Sequence, residues 1–324
     1  MTLPPSLQTS RSGNTQPPGW PQDVAPLPTG FRPVRLERGP EVSVAVSVSR
    51  MLDPVGEISE GGYWIHISQD GGKSWQPPVY TGLAQFFPYV VPSISKLPLS
   101  AGDRLQLEVE VQEIDTSSIT YPPVDLRSSR RAQNLYLELS LAALQSDKDR
   151  DGLTDIVEER LLLDPEMADS DGDGLADGVD PLPNVKSAAE VRDAADPIAA
   201  ILKSIYGMPE GAIVEPVDGD ANAGFLGKPA GPPTPLRPLL VQGRPEDFRA
   251  GIPGAQVLVY SDIDVQKLRA KSPDFNGLTL QAAVFNRAGD RGFVVWSFGW
   301  TGGTLRLIRE PGGWRTEAIR NWIS

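Results

Sequence analysis

Ten carboxylates stand at regular intervals in two loops of twelve residues, the first loop (147–158) and the second loop (169–180). In both loops acidic side chains occupy positions 1, 3, 5, 9 and 12, and a glycine, Gly152 or Gly174, occupies position 6. A glycine there permits a sharp turn that brings the oxygens toward one point, and the backbone carbonyl at position 7 can add another oxygen. The candidate metal ligands are Asp147, Asp149, Asp151, Leu153, Asp155 and Glu158 in the first loop, and Asp169, Asp171, Asp173, Leu175, Asp177 and Asp180 in the second.

This donor set indicates which ion the loops would take. Five acidic groups within twelve residues repel one another strongly unless a cation neutralises them. Calcium takes six to eight oxygen ligands, whereas magnesium retains its waters and fits such a loop less well. Two copies in phase, each with its glycine, argue against a solvated acidic turn. The spacing therefore predicts two Ca²⁺ ions, one in each loop.

The segment 147–183, which begins DKDRDGLTDIVEERLLLDPEMADSDGDGLADGVDP, resembles bacterial thrombospondin type 3 repeats. The likeness rests on the tandem DxDxDG loops, a predicted helix over 156–162 and the break at Asp164-Pro165. It covers about a ninth of the chain and implies structural calcium in a rigid connector of a secreted or surface protein. A dockerin also pairs such loops, but it needs a helix after each loop, which Pro181 prevents after the second.

We further expect this segment to act as a spacer between end domains that make little direct contact. The reason is that its motif supplies metal ligands rather than a broad apolar surface. On this expectation, bound ions provide the rigidity of the connector.

The composition of the chain excludes several classes of protein and of site. The net charge of −12 comes mostly from the two loops and argues against nucleic acid as a partner. With no cysteine and one histidine, His66, the chain has no thiol nucleophile, disulfide or multi-histidine zinc site. No apolar stretch reaches the ~18 residues that span a bilayer. Residues 1–19 lack the pattern of a signal peptide, so we expect an export signal to have been removed and the protein to be extracellular, at the cell surface or periplasmic.

The N-terminal half has the pattern of a β protein. Apolar and polar residues alternate with period two at 42–48, 105–112 and 135–141, which is typical of half-buried strands. Several such strands between Gly/Pro/Asp turns predict an antiparallel β-sandwich over 31–142. Residues 1–30, rich in Pro, Ser, Thr and Gly, are predicted to be a disordered or extended leader.

Beyond the calcium repeats, assigned to 143–183, the pattern predicts an α+β domain, so the whole chain is multidomain and mainly β. Ser187 is a candidate N-cap of a helix over 187–206, whose Ile198, Ile201, Leu202 and Ile205 share a face. This helix and a Pro/Gly-rich connector make up 184–255.

An antiparallel meander over 256–324 follows, and the helix could pack against it. Its strands are predicted at 256–260, 279–286, 292–300, 304–309 and 314–320. Glycine-rich hairpin turns are predicted at Gly302-Gly303 and at Pro311-Gly312-Gly313.

Two weaker signals lie near residue 70. Ser68-x-Asp70-x-Gly72-x-Ser74-Trp75 resembles the Asp-box of sialidase-like propellers, but a propeller carries several boxes, so one copy predicts a structural hairpin. On the preceding strand Trp64 and His66 share a face, which could stack on a sugar but more often belongs to a packed sheet.

We therefore expect a calcium-binding extracytoplasmic protein with a structural or ligand-binding, adhesion-type role, whose partner is an unidentified protein or carbohydrate. The alternative is a secreted, glycan-acting hydrolase with an accessory binding sandwich. No catalytic residue is predicted, because no nucleophile, base and orienting group can be assembled. The carboxylates that a hydrolase could use in the C-terminal region are Asp262, Asp264, Asp290 and Glu310. A polar pocket with convergent carboxylates there would favour this alternative.

Overall fold

The computed structural model describes residues 20–28, 31–51, 59–83, 89–101, 103–114, 128–186, 196–205, 238–248, 256–271, 277–281, 283–298 and 301–323. The chain is mainly β and contains several antiparallel strand pairs, which confirms the coarse fold prediction. Within these ranges no helix is both long and apolar enough to cross a membrane.

Two sheets are built from residues 31–140. The first has the order β1-β2-β3-β4 and is antiparallel, with strands Phe31–Arg38, Ser43–Met51, Ser59–Ser68 and Val79–Tyr80. In the second sheet, β5 (Tyr89–Val90), β6 (Ser100–Ala101) and β8 (Ser128–Ser140) all pair antiparallel with β7 (Arg104–Ile114).

The two sheets share one hydrophobic cluster, here called the sheet-pair core, because alternate residues of their strands point to the same side. Its buried members are Val44, Val46, Val48, Tyr63, Ile65, Ile67, Val79, Val91, Leu99, Leu105, Leu107, Val109 and Leu144. The valines of β2 and the apolar residues of β7 are those that the period-two pattern places on one face.

Residues 20–28 belong to the folded structure, so of the two alternatives for the leader, disordered or extended, the disordered one is wrong for this stretch. Val24 and Leu27 are buried. The backbone N–H of Ala25 donates to Gly72 O at 2.7 Å, and its carbonyl accepts from Trp75 Nε1 at 2.9 Å. Polar composition suggested disorder, but these few apolar residues gain enough burial to order the segment. Residues 1–19 lie outside the described ranges.

Four α-helices are present among the described residues: α1 (Leu141–Leu144), α2 (Asp155–Leu161), α3 (Pro197–Ile205) and α4 (Asp262–Lys271). Of the predicted helix 187–206, the described residues contain the helix Pro197–Ile205. It begins at Pro197 after Asp196, whose Oδ1 accepts from Ile198 N at 2.8 Å and so caps the helix. The predicted cap, Ser187, lies outside the described residues.

The third sheet is mixed, which corrects the antiparallel meander predicted for 256–324. Its order is β10-β9-β11-β13-β14-β15, with β12 paired to β13. The strands are β9 (Leu239–Gln242), β10 (Val257–Tyr260), β11 (Leu278–Leu280), β12 (Val284–Phe285), β13 (Arg291–Phe298), β14 (Thr301–Glu310) and β15 (Gly313–Ile323). β9 runs parallel to both β10 and β11, and the pairs from β11 onward are antiparallel.

The sequence pattern missed two of these elements for a physical reason. β9 lies inside the predicted connector 184–255, and its four residues are too few to show a period. α4 has only Val265 and Leu268 buried while Ile263 is exposed, so it lacks a continuous apolar stripe. Because α4 connects β10 to β11, these two strands run in the same direction.

The turn predicted at Gly302-Gly303 is wrong, since both glycines lie inside β14 and pair with Ser297 and Trp296. A Cβ on Gly302 would lie 2.2 Å from the ring of Trp322, so this glycine makes room for an indole. Phe298 pairs with Thr301, and the two residues between them lie outside the described ranges. The predicted turn at 311–313 is confirmed, because Glu310 pairs with Gly313.

The third sheet and α3 form the C-terminal core. Four residues of α3, the predicted face Ile198, Ile201, Leu202 and Ile205, are buried in it with Trp296 of β13. Its other buried members are Leu182, Val185, Ala199, Leu239, Val241, Phe248, Val257, Val259, Leu278, Leu280, Val294, Phe298, Leu305, Leu307 and Trp314. Leu182 and Val185 come from the end of the acidic segment, so that segment contributes directly to this core.

The acidic segment supplies an apolar surface as well as carboxylates, which corrects the premise that its motif provides metal ligands alone. Leu153, Val157, Leu161 and Leu163 of the acidic segment are buried in a third cluster, here called the junction core. The other buried members are Leu27, Phe31, Ala45, Trp64 and Tyr80 from the N-terminal half and Leu258, Tyr260, Val265 and Leu268 from β10 and α4. The prediction from ligand spacing took account of the carboxylates and gave no packing role to these apolar residues, which lie between and after them.

Candidate metal centre

The two acidic loops close with the same hydrogen bonds. Asp155 N donates to Ser146 O and Asp177 N donates to Ala168 O, each at 2.9 Å. The side chains at position 9 then accept from the second residue of their loop: Lys148 N donates to Asp155 Oδ1, and Ser170 N to Asp177 Oδ1, each at 3.0 Å. The position-9 carboxylates therefore close their loops.

Backbone N–H groups donate hydrogen bonds to the carboxylates at positions 1 and 5 of both loops. Gly152 and Gly174 adopt φ values of 101° and 100°, and their N–H groups donate to position 1 of the loop, to Asp147 Oδ2 at 3.3 Å and Asp169 Oδ2 at 2.8 Å. Positive φ strains other residues, so glycine is required for this turn. At position 5, Asp151 Oδ1 and Asp173 Oδ1 accept from the N–H of Leu153 and Leu175 at 2.7 and 3.0 Å.

Each loop brings three carboxylates together. One ligand oxygen from each of Asp147, Asp149 and Asp151 lies within 4.8 Å of the others, and the same holds for the second-loop set 169/171/173. Calcium binds oxygens at about 2.3–2.6 Å, so oxygens on opposite sides of one ion stand about 5 Å apart. Both groups could therefore hold a metal ion.

Several carboxylate oxygens of the loops are buried without a hydrogen-bond partner. They are Oδ2 of Asp149 and of Asp171 at position 3, both Oε atoms of Glu158, and Oδ2 of Asp180 at position 12. Unpartnered oxygens therefore occur at positions 3 and 12 of both loops. A buried carboxylate oxygen without a partner is costly, and a bound cation removes that cost. These unpartnered oxygens indicate, independently of the sequence motif, that the residues of the loops fit a bound cation.

Burial and mutual repulsion also shift the pKa values of these groups. Burial, followed by the charges of Asp149 and Asp151, raises the pKa of Glu158 to about 8. Burial likewise raises the pKa of Asp171 to about 7 and that of Asp180 to about 6. Ionised carboxylates are thus disfavoured here unless positive charge is supplied.

The structure distributes the predicted ligands unevenly. Asp155 is not in any of the three carboxylate groups that could hold an ion, and its oxygens accept from Ser146 Oγ at 2.8 Å and from Lys148 N. Asp180, at position 12 of the second loop, is buried, and this burial together with the charge of Asp173 raises its pKa. Leu153 is buried and Leu175 is exposed, and both are held through their N–H groups.

Sequence reasoning missed residues that support the loops from outside the ligand pattern. Ser170 Oγ donates to Asp177 Oδ2 at 2.5 Å and accepts from Asp164 N at 2.8 Å. Gln256 Nε2 donates to the carbonyls of Asp177 and Asp180 at 2.7 and 3.1 Å. Ser170 lies between two candidate ligands, so its position could have indicated a supporting role. Gln256 is too far from the loops in sequence for any local pattern to indicate its role.

The Asp-box forms a hydrogen-bonded turn. Asp70 Oδ1 accepts from the N–H groups of Lys73 and Ser74 at 2.9 and 3.0 Å, and its Oδ2 accepts from Ser74 Oγ at 2.7 Å. These bonds hold the pKa of Asp70 well below its usual range. The side chain is engaged in shaping the turn, as the hairpin interpretation predicts.

The aromatic face of β3 is covered. Trp64 and His66 share a face, as predicted, but both are buried. Phe31 packs edge-on against both rings, with centroids 5.4 and 5.0 Å away, and Tyr80 lies 5.0 Å from Trp64. This arrangement is that of a packed sheet face, and it leaves no platform for a sugar at these two residues.

The carboxylates considered for a hydrolase each accept a side-chain hydrogen bond; the donors to Asp262, Asp264, Asp290 and Glu310 are Gln242, Ser261, Asn286 and Arg315. In the part of the chain that the structure describes, groups of three or more potential metal-ligating side chains occur in the acidic loops alone.

Comparison with models of protein families, with curated protein sequences and with solved structures gave no match. The resemblance to thrombospondin type 3 repeats therefore stays a prediction from the motif.

Proposed function

We propose that this chain is a calcium-binding extracytoplasmic protein with a structural or adhesion-type role. In this proposal an N-terminal β-sandwich and a C-terminal α+β domain are joined by a calcium segment that holds them in a fixed relation. The observation that carries the proposal is the set of buried, unpartnered carboxylate oxygens at positions 3 and 12 of both loops.

Calcium is favoured over other ions by the donor chemistry. The groups consist of carboxylates, with no cysteine in the chain and its one histidine, His66, buried under Phe31. Oxygen-only sites suit hard cations, and a crowded all-protein set suits calcium better than magnesium, which keeps its waters. Carboxylate-rich loops that bind calcium with micromolar to millimolar affinity fill at extracellular concentrations, which supports an extracytoplasmic location.

The position of the loops supports a structural role. The helix α2 leaves the first loop and enters the junction core, where Tyr260 Oη of β10 donates to Leu161 O at 2.9 Å. The second loop leads to Pro181, whose carbonyl accepts from Val257 N at 2.9 Å, and to Asn184, whose side chain bonds both N–H and C=O of Val259. Ligands and interdomain contacts thus lie on the same short segment.

The proposal is tested by titrating chelator-treated protein with Ca²⁺ in a calorimeter and by recording its melting temperature with and without the ion. We expect saturable uptake and a later melt, because a ligand at a thousand times its Kd adds about 4 kcal/mol of stability. The Asp151→Ala variant should take up less calcium than wild type. Asp103→Ala, an exposed carboxylate outside the loops, is the matched control. Absence of saturable uptake by the wild-type protein would exclude the proposed function.

A further inference from the structure

The two acidic loops contact each other directly. Gly178, at position 10 of the second loop, donates its N–H to Asp151 Oδ2 of the first loop at 2.8 Å. A Cβ on Gly178 would lie 2.3 Å from the backbone oxygen of Asp151, a distance that atoms do not adopt. The loops therefore approach each other as closely as a glycine permits.

At this contact a third group of carboxylates spans both loops. Asp151 and Glu158 from the first loop and Asp177 from the second each place an oxygen within 4.8 Å of the other two. Glu158 and Asp177 are fully buried, and neither oxygen of Glu158 has a hydrogen-bond partner. Three carboxylates brought together, two of them fully buried, repel one another, and the unpartnered Glu158 points to a ligand that neutralises them.

We propose a third cation site between the loops, formed by Asp151, Glu158 and Asp177 and filled by a hard divalent cation such as calcium. Asp151 also belongs to the first-loop group with Asp147 and Asp149, and Glu158 is position 12 of the first loop, so both residues are shared between neighbouring sites. Asp177 is thereby a ligand of an ion outside its own loop. The inference rests on the proposed calcium function and adds to it that the two loops bind cations as one coupled unit.

A matched pair of variants separates this site from the individual loops. Asp155 and Asp177 hold the same position 9 and make equivalent loop-closing bonds, but Asp177 alone belongs to the group that spans the loops. If Asp177 serves only its own loop, Asp155→Asn and Asp177→Asn should have the same effect on ion number. If the inter-loop site exists, Asp177→Asn should lose one ion more than Asp155→Asn.

The experiment counts bound Ca²⁺ on the intact chain by native mass spectrometry, with calorimetric stoichiometry as a second measurement. We expect three ions on wild type, three on Asp155→Asn and two on Asp177→Asn. Two ions on wild type, or equal counts for the two variants, would overturn the inter-loop site and leave the calcium function standing. Absence of any bound ion would overturn the proposed function itself.

A second variant tests the loop contact without removing a carboxylate. Gly178→Ala should push the loops apart and reduce the ion count to two, with both loop sites retained. Val179→Ala, at an exposed neighbouring residue, should keep three. Three ions on folded Gly178→Ala, with its fold checked by circular dichroism, would show that the close contact is not required and would contradict the site.

Discussion

At the scale of single residues, the chain contains buried groups that titrate at unusual pH values. Glu158 and His66 are both inaccessible to water in the structure. Burial raises the pKa of Glu158 to about 8 and lowers that of His66 to about 3, because it disfavours the charged form of either group. Each group therefore makes the free energy of unfolding depend on pH. Glu158 lowers it as pH rises, and His66 lowers it as pH falls.

Without calcium, Glu158 should destabilise the protein as pH rises. Its pKa is higher in the folded chain than the ordinary value of 4.5, so its contribution is fully present below pH 4.5 and is lost as pH rises through about 8. Since one pKa unit corresponds to about 1.4 kcal/mol, the loss is on the order of a few kcal/mol. Urea unfolding of calcium-free protein between pH 6 and 9 measures it. The Glu158→Gln variant should show a flatter profile, and a profile as steep as wild type would contradict the assignment.

His66 should make the protein sensitive to acid. Its Nε2 bonds Ser47 Oγ at 2.7 Å, and Nδ1 is buried without a partner. Because the folded pKa is depressed, the stability is present above the unfolded value of 6.5 and is lost as pH falls toward 3. His66→Gln should lose less stability than wild type between pH 6.5 and 4 in urea unfolding at saturating calcium. Equal losses would show that other groups dominate acid unfolding.

At the scale of elements, the two loops have the same spacing of carboxylates but are followed by different structures. The first loop continues into α2, whose Val157 and Leu161 are buried in the junction core and hold the intervening Glu158 in place. The second ends at Asp180, whose Oδ1 already accepts from Leu182 N at 2.8 Å. Thus position 12 offers two unpartnered oxygens in the first loop and one in the second.

We therefore expect the first loop to bind calcium more tightly than the second. The longer Glu158 side chain has two unpartnered oxygens and can reach the first-loop ion while it also serves the inter-loop site, whereas Asp180 is one methylene shorter and has one such oxygen. Calcium titration of Asp149→Ala and Asp171→Ala compares the loops, since both variants remove position 3. Higher residual affinity in Asp149→Ala than in Asp171→Ala would reverse this ranking.

At the scale of the whole molecule, residues of the acidic segment 147–185 belong to or pack against all three hydrophobic cores. The sheet-pair core consists almost entirely of residues from the N-terminal half, and the C-terminal core mostly of residues from the C-terminal half. The junction core instead combines residues of the segment with residues of both halves. The loops are thus tied to the two halves of the chain by apolar contacts as well as by hydrogen bonds. Removing the ions should affect the junction first, because repulsion among the carboxylates acts there.

Hydrogen–deuterium exchange with and without chelator should map this effect. We expect faster exchange in α2 and β10 after calcium is removed, and little change in β2 or β14, which contribute no metal ligand. Uniform acceleration along the chain would mean that the ions support global folding. No change at α2 would mean that apolar packing alone holds the junction.

Local patterns in the sequence determined the acidic loops and the strands with alternating residues. Ligand spacing, the glycine at position 6 and period two each act within about a dozen residues, so they can be read without a partner. The β2 alternation and the 311–313 turn are examples in which neighbouring residues decide the conformation.

The tertiary structure decided what those local elements contact. The parallel pairing of β9, the burial of Trp64 and His66, the junction core and the approach of Gly178 to Asp151 all join residues far apart in sequence. Their free energy comes from surfaces that exist only after the partners fold, so no local pattern encodes them. For the same reason the sequence assigns Asp177 to its own loop, and only the folded chain places it beside Glu158.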